Sequence, residues 1–437
     1  MTTTKTPSGM RTFVVIWLGQ LISMIGSQMT SFALGIDILQ ENGSISQFAL
    51  VLVFAALPGV LVSPLAGALA DRWNRRLIML FSDLGSAVVS LWLFFQLTSG
   101  THVLWQVYLA VALVSVLNAF QVPAYAAAVP QLVPPAQIGR ASGMIQGAQA
   151  ISVLLAQLLA GALVAYATVQ TIIAIDMLTF FISVCTLLLV RIPAPRRGDR
   201  AEERLGLGEL LSGWSYIASR RGLLGLVLFL AFSNFMLGVV EVLIRPLVLG
   251  FGSTIDLSLV LTGGGAGMIA GSLLFSVWGG PKRRVLGLLG AHLAAMLLMI
   301  VPGAWPALLP VTLATFGILA SLAMINSSNF ALLSQKVDPQ VQGRVFATVN
   351  AITIGMLPLG HLTSGPLADW SARLAGGQAL GINWLFIAFG IGGVLLTALG
   401  ACYRPLRRVD DLPDMVSAPA ADQPTVSPSL ANPSPSV

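Results

Sequence analysis

The sequence predicts an all-α integral membrane protein of twelve transmembrane helices in two pseudo-symmetric six-helix bundles. Three observations carry that prediction. The 437-residue chain is 56% hydrophobic and only 9% charged, with a mean hydropathy of +0.86, whereas a soluble domain carries roughly 25% charged residues. Its basic residues segregate to alternate loops, and its two halves share an internal repeat. The same composition excludes intrinsic disorder, a coiled coil and a nucleic-acid-binding domain. The 44 glycines lack a three-residue period, which excludes collagen. Continuous apolar runs exclude a β-barrel, whose segments alternate over about ten residues.

A helical span needs about 20 apolar residues, and twelve such runs lie between turn and charge signals. The first, 12–38, follows Lys5 and Arg11 and runs too far past Ser31-Phe32-Ala33 for a cleaved signal, so it reads as a retained helix. The second, 46–70, starts after Asn42-Gly43 and stops at Asp71-Arg72. The third, 77–98, lies between Arg76 and Ser99-Gly100, and the fourth, 103–124, closes near Pro123. The fifth, 141–166, follows Arg140, and the sixth, 170–191, ends at Arg191. Pro193, Pro195 and mixed charge then open a cytoplasmic linker, 192–221. Leu207, Leu210, Leu211, Trp214 and Ile217 stripe one face there, as on a helix lying at the interface. The seventh span is 222–250. The eighth, 256–279, carries Gly263, Gly267 and Gly271 four apart, a packing stripe rather than a phosphate loop. The ninth, 285–302, follows Lys282-Arg283-Arg284, and only Pro302-Gly303-Ala304-Trp305-Pro306 divides it from the tenth, 307–333. The eleventh and twelfth are 344–369 and 381–403. The domains are thus 1–191, the linker, 222–403, and a Pro- and Ser-rich tail, 404–437, expected to be disordered.

Charge tests the count. With both termini on one side, all of the 23 Lys and Arg residues but Arg245 and Arg373 fall on that side. The positive-inside rule makes it the cytoplasm and makes the protein a multi-pass protein of the plasma (inner) membrane. Sliding the chain by 204 residues lays Gln131–Leu163 on Gln335–Leu367. Identities recur at Pro135/Pro339, Gly139/Gly343, Arg140/Arg344, Leu155/Leu359, Leu158/Leu362 and Gly161/Gly365, among others. The fifth span therefore maps on the eleventh, and parallel repeats of this kind build transporters whose halves rock about a midplane site. Cys185 and Cys402 lie in apolar runs and read as packing residues.

Between the second and third spans stands Gly67-Ala68-Leu69-Ala70-Asp71-Arg72-Trp73-Asn74-Arg75-Arg76. This stretch resembles the signature loop of the major facilitator superfamily, and residues 12–403 fit that fold. Gly67 allows close approach of a facing helix. Asp71 suits the N-terminus of the eleventh helix near Arg344. Arg72, Arg75 and Arg76 are placed to pair with carboxylates in a cytoplasmic gate, to which Asp83, Arg140 and Arg344 also belong. Asn74 replaces a family glycine and tolerates a left-handed turn. Leu18-Gly19-Gln20, Gly26-Ser27, Leu57-Pro58, Asp83 and Gly365-Pro366-Leu367-Ala368-Asp369 are similar to the branch that exports macrolides and catecholate siderophores. The arginine of many drug–proton antiporters is missing from the fourth span, and their Gly-Pro pair from the fifth.

Charges at membrane depth are the candidate coupling and outer-gate residues, because each costs about 2.5–3.5 kcal/mol at a helix centre. Glu241 and Arg245 lie one turn apart on the seventh span and read as an ion pair. Asp37 lies near an outer helix end, as does Asp176, which reads as an interfacial carboxylate without function. Asp83 reads as one member of an ion pair with the nearby arginines. His361 reads as a candidate proton carrier or a packing histidine remote from any acid. Neutral polar residues, Gln20, Gln28, Asn118, Asn234, Asn326 and Asn329, are the candidate substrate-cavity lining.

These readings converge on a secondary active exporter of amphiphilic small molecules (drugs, macrolide-like compounds or siderophores), working by alternating access. The chain lacks the Gly-x-x-x-x-Gly-Lys-Ser/Thr nucleotide motif, so the expected driver is an ion gradient, of protons, with no cofactor or metal. A lysolipid flippase or a non-transporting receptor of the same fold are the alternatives, and neither is an enzyme. The expected partners are the substrate and the bilayer, with no nucleic acid, and the expected state is a monomer.

Overall fold

A computed structural model describes residues 9–100, 103–134, 137–164, 166–190, 207–338 and 341–411. Twelve of its helices are long and apolar enough to cross a membrane. In the first half these are α1 (Gly9–Asn42), α2 (Ile45–Arg72), α3 (Arg75–Thr98), α4 (Leu104–Leu132), α5 (Ile138–Val164) and α6 (Val169–Leu189). A short α7 (Leu207–Ala218) precedes the second half. That half comprises α8 (Arg221–Leu249), α9 (Thr254–Trp278), α10 (Arg284–Ala304), α11 (Leu308–Lys336), α12 (Gln342–Ala375) and α13 (Gln378–Cys402), and α14 (Arg404–Arg407) follows.

Local chemistry sets the ends. Ser44 caps α2 by accepting from Gln47 N, and Asn74 caps α3 by accepting from Arg76 N. Asn74 has φ −66°, so its value in the signature loop is its capping oxygen and not a left-handed backbone. Ser253 and Asp256 form a reciprocal capping box on α9. The expected break at 302–306 falls at Trp305–Ala307. Several spans outrun their expected limits. α4 continues through Pro123 and Pro130 to Leu132, because a membrane helix keeps a proline when neighbouring helices supply the lost contacts. The tail expected to be disordered from 404 is instead ordered to Asp411. Leu406 and Val409 are buried against α8, and Asp410 caps α10 by accepting from Val285 N at 3.1 Å. Burial pushes the Asp410 carboxyl up. On α7, Ile217 is wholly buried and Trp214 is exposed, although both belong to the one predicted stripe.

The apolar core divides unevenly. One cluster joins both halves, from Phe32, Ile36 and Phe48 in the first to Val239, Leu243 and Leu257 in the second. Two further clusters stay separate, one within each half. Phe13, Ile78 and Leu132 belong to the first, and Leu226, Leu289 and Val345 to the second. The shared cluster lies at the ends where α1 finishes and α2 begins, which we term the far side. The separate clusters lie at the ends carrying residues 9 and 411, the basic side. Glycines draw the same picture. At the far side, a Cβ on Gly161 would strike Ser258, and one on Gly365 would strike Ser46. At the basic side, a Cβ on Gly67, Gly139, Gly143, Gly147 or Gly343 would meet nothing within 4 Å. The halves are shut against each other on the far side and parted on the basic side.

Candidate functional site

Among the described residues, one acid–histidine contact joins two membrane helices of the second half. Gly238 of α8 and Gly360 of α12 let the two backbones touch, with Gly238 against Leu357 and Gly360 against Phe235 and Val239. One turn on, His361 Nε2 lies 3.1 Å from Glu241 Oε2. His361 is 5% exposed and Glu241 45%, so the carboxylate lies open beside a buried imidazole. This corrects the expectation that His361 is remote from acids. Arg245 keeps its charge interaction with Glu241 and adds a second contact. Arg245 Nη1 donates to the backbone carbonyl of Glu241 at 2.8 Å, and its guanidinium lies 5.0 Å from the ring centre of Phe48 on α2. Arg245 therefore also bridges the two halves through a cation–π contact. Gln40 Nε2 and Thr254 Oγ1 approach to 3.4 Å nearby, also across the halves.

Asp83 is not a gate-side ion pair. It is wholly buried among α1, α3, α4 and α6. Ser183 Oγ donates to it at 2.7 Å, Gln121 Nε2 at 2.7 Å and Gln20 Nε2 at 3.1 Å, while Gln121 also donates to Gln20 Oε1 at 2.7 Å. Gln20 thus belongs to the bundle interior and not to the substrate cavity. The arginine best placed for Asp83, Arg76, donates instead to the carbonyls of Leu187 and Leu188 at the end of α6, both at 2.9 Å. Those carbonyls end a helix and lack internal donors, so a guanidinium suits them. The second half holds the counterpart. Asp83 and His292 occupy the same place in their helices, α3 beginning at Arg75 and α10 at Arg284. Buried His292 contacts Ser233 of α8 at 2.9 Å and Thr397 of α13 at 2.7 Å.

Asp176 is not interfacial. It is 2% exposed, and Ser27, Thr30 and Thr179 hydroxyls donate to its carboxylate. It lies in the wall of a cavity of about 250 Å³ to which Gln28 and Asn118 also contribute. Asp37 lies with Glu41 and Gln47 in a second cavity of about 260 Å³ at the far end of the first half. Asn326 is exposed, and Asn329 Oδ1 is buried without a hydrogen-bond partner. Asn234 donates to its own helix at Leu230 O. The structure does not gather these three around one point. On the basic side, Arg140 and Arg344 are exposed, Arg75 Nε lacks an acceptor, and Gly67 has no helix against it. The side chains of Asp71 and Arg72 lie outside the described residues. No group of three or more potential metal ligands occurs among the described residues.

Sequence reasoning missed Phe48 and Ser183 and placed Asp176 at the interface. Equal depth was the available signal for the pair it did not join. Glu241 and His361 both lie about 30 Å along parallel helices at 1.5 Å per residue.

Comparisons with known proteins agree with this architecture. The family profile described as Major Facilitator Superfamily matches residues 16–361. Macrolide efflux protein A of Streptococcus pyogenes is 26% identical over 411 residues, 91% of this chain and 97% of that protein. The protein of the same name from Enterococcus faecalis is 27% identical over 317 residues, 70% and 95% respectively. Among solved structures, the nucleoside transporter NupG aligns with a TM-score of 0.71 at 12% identity, covering 90% of this chain and 99% of that one. A bacterial homologue of the human lysosomal transporter Spinster aligns with a TM-score of 0.67 at 14% identity, covering 93% and 98%. At those identities the structures speak for the fold.

Proposed function

The chain belongs to the Major Facilitator Superfamily, and on that premise we propose that this transporter is a proton-driven exporter of amphiphilic small molecules of the macrolide class. It would work by alternating access in the plasma membrane, with both termini cytoplasmic. The relatives named macrolide efflux protein support the cargo class, and the distribution of basic residues supports the orientation.

The observation that carries the coupling is the Glu241–His361 contact, set in a molecule shut on one side only. Glu241 faces the cleft and exchanges protons with it, while buried His361 holds the carboxylate at a fixed depth between α8 and α12. Binding of a proton to the pair changes its charge, and therefore its solvation, beside the Gly238–Gly360 crossing. The far-side closure is assembled one turn beyond, where Arg245 of the same helix reaches Phe48. In this reading cargo enters from the basic side and competes with the proton. The halves then rock, the Arg245–Phe48 contact parts, and cargo leaves on the far side as protons return.

The test is accumulation of a labelled macrolide by purified protein in proteoliposomes that are acid inside, with the basic side outward. Accumulation abolished by a protonophore is expected. Accumulation that survives the protonophore overturns proton coupling, and no accumulation of any macrolide tested overturns the cargo class.

A further inference from the structure

The two buried carboxylates of the first half differ in how completely they are served. Asp83 receives two donors at 2.7 Å and a third at 3.1 Å from side chains locked among four helices. Its coordination is finished. Asp176 receives Thr30 at 3.1 Å, Ser27 at 3.3 Å and Thr179 at 3.4 Å. All three exceed the usual 2.5–3.0 Å range for O–H···O contacts, and Thr179 makes its short bond, 2.7 Å, to the backbone carbonyl of Asp176 instead. A buried carboxylate held so loosely has capacity for a stronger donor, and a charged donor makes a hydrogen bond roughly twice as strong as a neutral one.

Space for that donor exists. Asp176 lines the cavity of about 250 Å³, which exposed Gln28, Ser31, Ala55 and Asn118 border and into which buried Ser90 and Ser115 also project. Among the described residues, no Lys, Arg or His lines it. Gly26 of α1 leaves room for the carboxylate itself, since a Cβ there would lie 2.8 Å from Asp176 Oδ1 and would also strike Thr179. The remaining wall is apolar, with Leu34, Val89, Leu93 and Val111. Alkyl groups on a nitrogen pack against that wall, while the oxygens of Ser27, Ser31, Gln28 and Asn118 would also serve a bare metal ion, which competition by sodium distinguishes. The volume lies below the roughly 300–1,000 Å³ of a complete drug site, so it suits one group of a larger molecule.

We propose that this cavity is the seat for a protonated alkylamine group of the transported amphiphile, with Asp176 as its counter-ion and Gly26 as the residue that leaves room for that carboxylate. The proposal rests on the exporter reading for its cargo but concerns binding, so the two are tested separately.

Binding is read with two fluorescent probes on full-length protein in lipid nanodiscs, N-(3-dimethylaminopropyl)dansylamide and its uncharged counterpart N-butyldansylamide. Wild type is expected to bind the amine about tenfold or more tightly than the butyl probe, the range of one hydrogen bond to a charged group. Asp176→Asn is expected to abolish that preference. Asn118→Trp, a substitution at an exposed position, is expected to block the cavity and abolish the preference as well, which keeps the test open should Asp176→Asn fail to fold. Gly26→Ala is expected to weaken amine binding more than butyl binding. Equal affinities in wild type overturn the proposal, as does a preference that survives in folded Asp176→Asn or in Asn118→Trp. Competition by sodium ions against the amine would assign the carboxylate to a metal and overturn it too. Amine binding without transport would sink the exporter reading alone, and macrolide transport without amine preference would sink the seat alone.

Discussion

Replacing Glu241 by Gln keeps the volume of the side chain and a carbonyl oxygen for His361 Nε2, but it removes the titration. At the observed 3.1 Å, two full charges would attract by about 5 kcal/mol at an effective dielectric of about 20. That figure is a ceiling, because Glu241 is 45% exposed and solvent screens an exposed pair strongly. A net value of about 1.5–3 kcal/mol, that of a hydrogen bond to a charged group, is the appropriate scale. A pH gradient working through this pair can therefore shift the conformational ratio roughly 10- to 150-fold. Glu241→Gln is expected to lose that lever while keeping the binding site. In proteoliposomes the variant should exchange labelled macrolide for unlabelled macrolide near the wild-type rate, yet show no accumulation when the interior is acidified. His361→Gln should reproduce the defect in part, since Glu241 still titrates there but has lost its fixed partner. Full gradient-driven accumulation by well-inserted Glu241→Gln would refute the assignment and move the search for coupling to Asp37.

Phe48→Leu removes the ring beneath Arg245 and with it about 0.5–2 kcal/mol of far-side closure; spin labels across the far side should report a larger open population, and an unchanged distance distribution would contradict the latch. In a Cys185→Ala/Cys402→Ala background, Gln40→Cys and Thr254→Cys should cross-link readily, and Gly365→Val should suppress that cross-link by wedging Ser46 away. Asp83→Ala leaves the Ser183 hydroxyl without its acceptor, and Gln20 and Gln121 with one acceptor fewer each, and should lower stability by about 1–3 kcal/mol per unsatisfied group, seen as a lower melting temperature in detergent. Asp83→Asn should lose less, because its carbonyl oxygen still accepts. The pair Leu406→Ala and Val409→Ala should destabilise by about 3–6 kcal/mol in total, at about 1.5–3 kcal/mol for each buried side chain, measured in the same way.

The span count was legible because apolar length and the placement of arginines are independent signals that agree. The Pro302–Pro306 break was legible for the same reason, since only Trp305–Ala307 leave the helix. Which polar face looks where was not legible. Gln20 and Asn118 both point away from lipid, yet one meets Asp83 inside a bundle and the other borders an open cavity. Helical periodicity separates lipid from protein but cannot separate a bundle's interior from the cleft between bundles. Asp83 was misread because sequence proximity favoured Arg76, and the end of α6 competes for that guanidinium from more than a hundred residues away. Asp176 was misread from depth along the helix alone. Its burial depends on Gly26 of a different helix, a requirement that no single-helix pattern expresses.

The Asp83 hub also has a consequence for how the protein is made. Of its partners, only Gln20 precedes it in the chain; Gln121 follows 38 residues later and Ser183 100 residues later. At synthesis rates of roughly 5–20 residues per second, the third helix reaches the insertion machinery some 5–20 s before Ser183 exists. Through that interval the carboxylate lacks two of its three donors, at a cost of about 2.5–3.5 kcal/mol for an acid at a helix centre. The third helix therefore reaches its full stability in the membrane only once α4 and α6 stand beside it.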